Sequence, residues 1–336
     1  MELDRVAAGI VLESIKNAIP SRWTEQVESL RLMSAQGSEC TLATYLEESG
    51  QELDDVYVGS KSWSDLRADA GLLELPAGSH EVVLRRACGR MLHVDDMLRI
   101  NVYRRFLEAD EAPNPEQLTS AERRLLRMLV GSLVSGAVSK DTSLREGAKL
   151  LWRHPQVRAE LLELLEVLAN NIDHVAVPLL THSEVPLAIH ASYTRVEILA
   201  AFDVGEGAKV APWQTGCFWA AGARADLFAF TLDKTSGQFS PTTRYRDYAI
   251  SPDLIHWESQ SVTRADSTTG RRYQSHVANG SSVMLFARRR SDERAFYFLG
   301  PVTYVKHESE MPMAITWRLQ HALPGDLFAA FAAAVA

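Results

Sequence analysis

The hydrophobic period of this chain changes once, near residue 178, and that change constrains its fold more than any single motif does. Before it, apolar residues recur at helical spacing. In AELLELLEVLA, Leu161, Leu164, Leu165 and Leu168 fall at i, i+3, i+4 and i+7, which paints one apolar stripe on a helix with Glu160, Glu163 and Glu166 off it. Thr119 stands three residues before Glu122, the spacing of a capping box, ahead of ERRLLRMLVGSLV. Thr41 opens a short helix in TLATYLEESG that Gly50 can close, and Ser62 opens another that ends at Gly71. LPAGSHE and EADEAPNPEQ read as connectors. Residues 1–178 therefore read as an all-α domain of seven or eight short helices.

Beyond AVPLLTHSEVP the pattern is different. One helix is expected where Thr194 and Glu197 form a second capping box, with Gly205 and Gly207 available to end it. Seven short aromatic and β-branched runs follow: TGCFWAA, ADLFAFTLD, YAIS, IHWESQSV, SVMLFARR, AFYFLGPVTYVKH and AITWRL. Turn material such as KTSGQFSP, ADSTTG and ANGSS separates them, and Asn279-Gly280 reads as a hairpin turn. The expectation is an α+β chain in which residues 183–330 form a small, mostly antiparallel β-barrel with one or two helices.

With 336 residues, 46% of them hydrophobic, the chain can bury two cores. A net charge of -8 argues at first against nucleic acid, yet residues 1–180 carry 20 Lys plus Arg against 28 Asp plus Glu, while the remainder is balanced at 15 each. From Arg264 to Arg290 the balance is locally +5, set by Arg264, Arg271, Arg272, Arg288, Arg289 and Arg290 against Asp266. An acidic chain can thus present a basic face. Cys40, Cys88 and Cys217 form no C-x-x-C pair and imply neither a disulfide framework nor a zinc knuckle, so a reduced, cytoplasmic protein is expected. No run reaches the ~18 apolar residues of a membrane span, and no membrane partner is expected.

Motifs for catalysis are absent or incomplete. No Gly-rich loop ends in Gly-Lys-Ser/Thr, which excludes a nucleotide-driven motor in this chain. Lys306-His307 has the two residue types of a phospholipase-D-type nuclease adjacent and in the wrong order, and His256-Trp257-Glu258 lacks the Pro-Cys-x-x-Cys that would complete a deaminase zinc site. Asp253 and Glu258-Ser259-Gln260 mimic the carboxylates of a Pro-Asp/Asp-x-Lys nuclease, with Gln260 in the lysine's place. No catalytic residue, metal ligand or cofactor is assigned.

The densest chemistry lies between Phe239 and Ser261, where Tyr245, Tyr248 and Trp257 interleave with Arg244, Arg246 and Asp247. Aromatics among arginines suit a surface that stacks bases and neutralises phosphates, and a carboxylate beside a ring can accept the exocyclic amine of a cytosine. Asp247, Tyr245, Tyr248 and Trp257, with Tyr193, are the candidate base pocket. Arg244, Arg246, Arg271, Arg272, Arg288, Arg289 and Arg290 are the candidate backbone contacts.

The strings VPLAIHASYTRVEIL, FSPTTRYRDYAISPDLIHWESQS, TTGRRYQSHV, FLGPVTYVKHES and ITWRL resemble the domain of unknown function that closes many bacterial superfamily-two helicases, often fused to a phospholipase-D-like nuclease. The preceding helices, with RRACGRMLHVDD among them, are similar to the helical coupler of the same proteins. Some of that family resemble SauUSI-type, modification-dependent (type IV) restriction enzymes, whose closing domain is an SRA-like (SRA/PUA-like) reader of methylated cytosine. The resemblance implies a DNA-binding specificity module that flips 5-methylcytosine from double-stranded DNA, is not itself an enzyme, and has helicase and nuclease domains as partners in cis or in trans. The motor and nuclease motifs are missing here, so the chain reads as either an excised C-terminal part or a stand-alone reader. Two alternatives remain: a protein-interaction coupler that does not recognise a modified base, and the nuclease with Asp253 and Glu258.

Overall fold

A computed structural model describes residues 22–232 and 247–333. Its first part is helical: α1 (Arg22–Ala35), α2 (Leu42–Ser49), α3 (Leu53–Val56), α4 (Trp63–Asp69), α5 (Glu81–Cys88), α6 (Met97–Glu108), α7 (Ser120–Val134), α8 (Leu144–Trp152) and α9 (Pro155–Asn170). Short strands β1 (Val177–Pro178), β2 (Ala188–Ile189) and β3 (Ser192–Thr194) lead into α10 (Arg195–Ala201), and then β4 (Cys217–Ala220), β5 (Ala225–Thr231), β6 (Tyr248–Ser251) and β7 (Leu254–Glu258). Helix α11 (Thr268–Gln274), strands β8 (Ser282–Arg288), β9 (Ala295–Glu308) and β10 (Ala314–Leu319), and helix α12 (Gly325–Ala333) complete the order. The chain is α+β.

Local chemistry accounts for the helix ends. Thr41 accepts the Thr44 N–H at the start of α2, and Gly50, at φ 65°, closes it. The capping boxes expected at Thr119 with Glu122 and at Thr194 with Glu197 both form. In α9 the four leucines of the stripe are buried. Glu160, expected on the solvent face, is buried too. Its carboxylate accepts the N–H groups of Trp63 and Ser64 in the first turn of α4, while Glu163 accepts the Leu42 N–H that opens α2. Glu160 and Glu163 of α9 thus satisfy unpaired donors at other helices' starts, where the dipole also favours them. Part of the acidity of the first half is internal scaffolding.

All seven strand runs become strands of one sheet, in the order β4-β5-β8-β9-β10-β7-β6, with β3 added beside β9. Every pairing is antiparallel except β5 with β8. Gly300 takes φ 91° in the long strand β9, and a Cβ there would stand 3.1 Å from Ile189, so the strand bends where only glycine fits. The sheet curls strongly. Phe228 of β5 and Trp257 of β7 lie at separate places in the strand order, yet their rings stack at 4.2 Å, with Trp317 and Tyr273 edge-on to Phe228. Among the described residues the curled sheet does not close into the expected barrel by hydrogen bonding, since its end strands β4 and β6 are not paired. Asn279-Gly280 also differs from expectation, because it joins helix α11 to β8 rather than two strands.

Two cores follow. One is the ring cluster inside the curl. The other runs unbroken from Val27 in α1 to Phe298 in β9. Residue 178 therefore marks where helices give way to strands but not where one core ends. At the seam Arg99 of α6 is fully buried. It donates to Glu197 at 2.9 Å and to the Ser192 carbonyl at 3.0 Å, and its Nε lies 2.9 Å from Asp96.

Candidate functional site

Among the described residues, the members of the expected base pocket fall in different surroundings. Tyr193 is fully buried in the seam: its hydroxyl donates to Asp96 at 3.1 Å and accepts the Ala188 N–H at 2.8 Å, and Arg99 lies 4.3 Å over its ring. Trp257 is the filled centre of the curl, stacked on Phe228. Both take structural places instead: alternation turns the odd-numbered side of β7, with Trp257, inward, where large rings exclude water, and Tyr193 of β3 is held in the seam by Asp96 and Arg99. Asp247 is buried and one carboxylate oxygen accepts the Glu258 N–H at 3.0 Å, which ties the entry of β6 to the end of β7. Tyr248 is half-buried and stacks at 4.7 Å on His256, whose imidazole pKa burial lowers. Tyr245, Arg244 and Arg246 lie outside the described residues.

The backbone-contact arginines divide. Arg289 and Arg290 are exposed but engaged locally in the β8–β9 hairpin: Arg289 with Glu293 at 3.4 Å, Arg290 bidentate with Asp292. Arg289 and Arg290 thus share their charge with acids of their own turn, which leaves less of it for the backbone contacts expected of them. Arg271 is exposed on α11. Arg272, its neighbour, turns the other way and grips the buried carboxylate of Asp226 through two hydrogen bonds of 2.7 and 2.8 Å. Burial pushes the Asp226 carboxyl up and the guanidinium opposes that, while the same hydrogen bonds raise Arg272.

Held in this way, Arg272 lies 4.4 Å over the half-buried indole of Trp219 in β4. Trp219, Arg224, Arg271, Arg272, Thr268 and Asn279 line an open groove of 380 Å³. Arg224 is fixed by donating to the Asn279 and Gly280 carbonyls. Helix α11 comes close to the preceding loop because Gly270 has no side chain, since a Cβ there would stand 2.0 Å from the Arg264 carbonyl oxygen. ADSTTG, expected to be turn material, instead opens this helix, with Ser267 accepting the Gly270 N–H as its N-cap.

Against this geometry stands one family match. Residues 187–331 match the family model of a domain of unknown function (DUF3427). This domain is found in helicase-associated proteins. The match spans the sheet, α10, α11 and nearly all of α12, and so includes the whole Trp219 groove. No curated protein matches the chain.

Hydrolytic chemistry finds little support in the placement of Asp253 and Glu258. Asp253 sits in the β6–β7 turn, paired with Arg318 at 2.7 Å, and Glu258 ends β7. Five residues of extended strand separate them, roughly 16 Å at about 3.3 Å per residue, too far for one metal ion. Among the described residues no group of three His, Cys, Asp or Glu side chains could hold a metal. No helix among them is long and apolar enough to cross a membrane.

Proposed function

We propose that this chain is a DNA-binding specificity module whose contact surface is the Trp219 groove. The observation that carries the reading is an indole covered by a guanidinium, with two further arginines on the same groove. Arg272 is committed to Asp226, so it orients the ring, whereas Arg271 is exposed toward solvent and suited to a phosphate. In this reading the helical half is the coupler that braces the sheet through the shared core, and the partner is duplex DNA in the cytoplasm, alongside helicase and nuclease domains.

Recognition of 5-methylcytosine is the specificity that the resemblance to SRA-like readers supports. With Tyr193 and Trp257 assigned to the cores, Trp219 and Tyr248 are the described candidate rings left at the surface for a flipped base, and flipping costs a few kcal/mol that their stacking must offset. The test is a gel shift of matched methylated and unmodified duplexes across a salt series, with Trp219→Ala alongside. Tighter binding of the methylated duplex, weakened by Trp219→Ala, supports the reading; equal affinities defeat the modified-base claim, and no binding at low salt defeats DNA binding itself.

A further inference from the structure

Four arginines from three separate stretches of chain converge on a cavity of 270 Å³ between the helical half and the hairpin end of the sheet: Arg90, Arg195, Arg288 and Arg294. Each of the first three is held in place by neutral groups. Arg90 donates to the Ser132 carbonyl and to the Ser135 hydroxyl, both at 3.0 Å. Arg195, first residue of α10, donates to the Trp213 carbonyl at 3.0 Å. Arg288, last residue of β8, donates to the Thr231 hydroxyl at 2.9 Å and to the Glu293 carbonyl. Arg294 is exposed at the rim.

None of the four has a carboxylate within ion-pair distance among the described residues. The nearby acids Glu293 and Asp292 are engaged by Arg289 and Arg290. Elsewhere in the molecule the buried guanidinium groups of Arg85 and Arg99 each meet an acid, and Arg127 is buried on the Val204 and Gly207 carbonyls; the cleft is set apart by gathering four guanidinium groups in one place. Like charges brought together without a counterion repel one another, and removal from water adds to the cost. Burial and the charge of Arg294 both push Arg90 down, and burial and the charge of Arg288 push Arg195 down. Positive charge concentrated at a partly dry site with fixed donors is complementary to a multiply charged oxyanion.

We infer that this cleft is a binding site for a phosphoryl oxyanion, with the guanidinium groups of Arg90, Arg195, Arg288 and Arg294 as its ligands. The ring in the site, Phe296, is buried and lies under Arg195 at 5.3 Å and Arg288 at 4.8 Å, so no base can stack on it. The cleft reads charge and not sequence. Its position sets it apart from the Trp219 groove. Ala225 and Ser282 pair at one end of the parallel strands β5 and β8, beside that groove, whereas Thr231 and Arg288 pair at the other; six residue steps separate the ends by roughly 20 Å. Three of the arginines come from the sheet half, and Arg90 comes from the helical half, so the site is complete only where the two meet. The inference does not depend on the DNA-binding reading.

Phosphoryl oxygens reach the cleft from two sources, a free polyphosphate compound or the phosphates of a nucleic acid strand. The experiment is titration of the full chain with inorganic pyrophosphate at low ionic strength, followed by calorimetry and by thermal shift, with sodium acetate at matched ionic strength as control. Saturable 1:1 binding and a raised melting temperature with pyrophosphate, but not with acetate, are expected. Arg294→Ala removes an exposed side chain, so the unliganded melting temperature should hold while affinity falls by about tenfold, as expected for one charge-assisted contact; Arg195→Gln with Arg288→Gln should abolish binding. Absence of saturable binding by the wild type, or equal affinity in the wild type and Arg294→Ala, overturns the site. A short duplex added as competitor then names the source: displacement of pyrophosphate assigns the phosphates to nucleic acid, and retention assigns a free phosphate compound, with the site upheld in either case.

Discussion

Glu197 offers the sharpest test of what joins the two halves. It is fully buried, and both carboxylate oxygens are engaged: one accepts from Arg99 at 2.9 Å, the other from His93 at 2.5 Å and from the Thr194 N–H and hydroxyl at 2.8 Å each. Burial would raise its pKa, but the charges of His93 and Arg99 and the donated hydrogen bonds outweigh it and hold the carboxyl at about 2. Glu197→Gln keeps the shape and removes the charge, and its amide must point N–H groups at donors on one side or the other. Loss of one partner from a buried pair costs about 3–5 kcal/mol. The displaced pKa gives a similar figure, since a carboxyl lowered from the ordinary value to about 2 at about 1.4 kcal/mol per pH unit corresponds to about 3–4 kcal/mol. Because the folded state holds this carboxyl below its unfolded value, the stabilisation is complete above the ordinary carboxylate range and disappears as pH falls toward 2. Urea unfolding of wild type and Glu197→Gln should therefore show a gap of about 3 kcal/mol at pH 7 that narrows in acid. A gap under about 1 kcal/mol at pH 7, or one that persists undiminished near pH 2.5, would refute the reasoning.

Three further outcomes follow from other places in the molecule. Trp257→Ala should cost about 3–5 kcal/mol in urea unfolding, because it empties the centre of the ring cluster, while Trp257→Phe keeps duplex affinity; a lost affinity in the folded Phe variant would return Trp257 to the binding surface. Gly270→Ala should destabilise by about 1–3 kcal/mol and weaken duplex binding together, since displacing α11 from the Arg264 carbonyl moves Arg271 and Arg272. Burial raises the Glu160 carboxyl to about 7, so between its unfolded value and neutrality the folded state binds the extra proton and stability rises as pH falls from 7 toward 5; unfolding midpoints at pH 5.5 and 7.5 should show that slope in the wild type and a flatter one in Glu160→Gln.

Much of the fold was legible in the sequence because its signals are local. Hydrophobic period and capping residues set the helices that Thr41, Ser62, Thr119 and Thr194 begin, and the seven strand runs carry aromatic and β-branched residues that suit no other element. Helix α11 was hidden by its composition: TTGRRYQ carries little helical period, and its reason for existing is the close approach at Gly270, a tertiary fact. Glu160 misled because periodicity places a residue on a face but cannot say that another helix will begin there. The candidate site was the least legible part. Rings in a small curled sheet bind or fill according to which side of the strand they occupy and which distant strand they meet, and the Trp257–Phe228 stack joins positions far apart in sequence. Trp219 carried no local mark, since its significance comes from Arg272 and, through it, Asp226. Arg90, Arg195 and Arg294 carry no local mark in the sequence, and only the packing of the two halves brings them together.

The central claim is that the Trp219 groove grips a DNA backbone with free guanidinium charge, and the dependence of duplex affinity on salt tests it most directly. On a plot of log affinity against log salt concentration, the wild type should fall steeply and Arg271→Ala should fall with a slope shallower by about one, as expected when one fewer phosphate is neutralised. Identical slopes for the two proteins, or a wild type that binds no duplex at low salt, would contradict it.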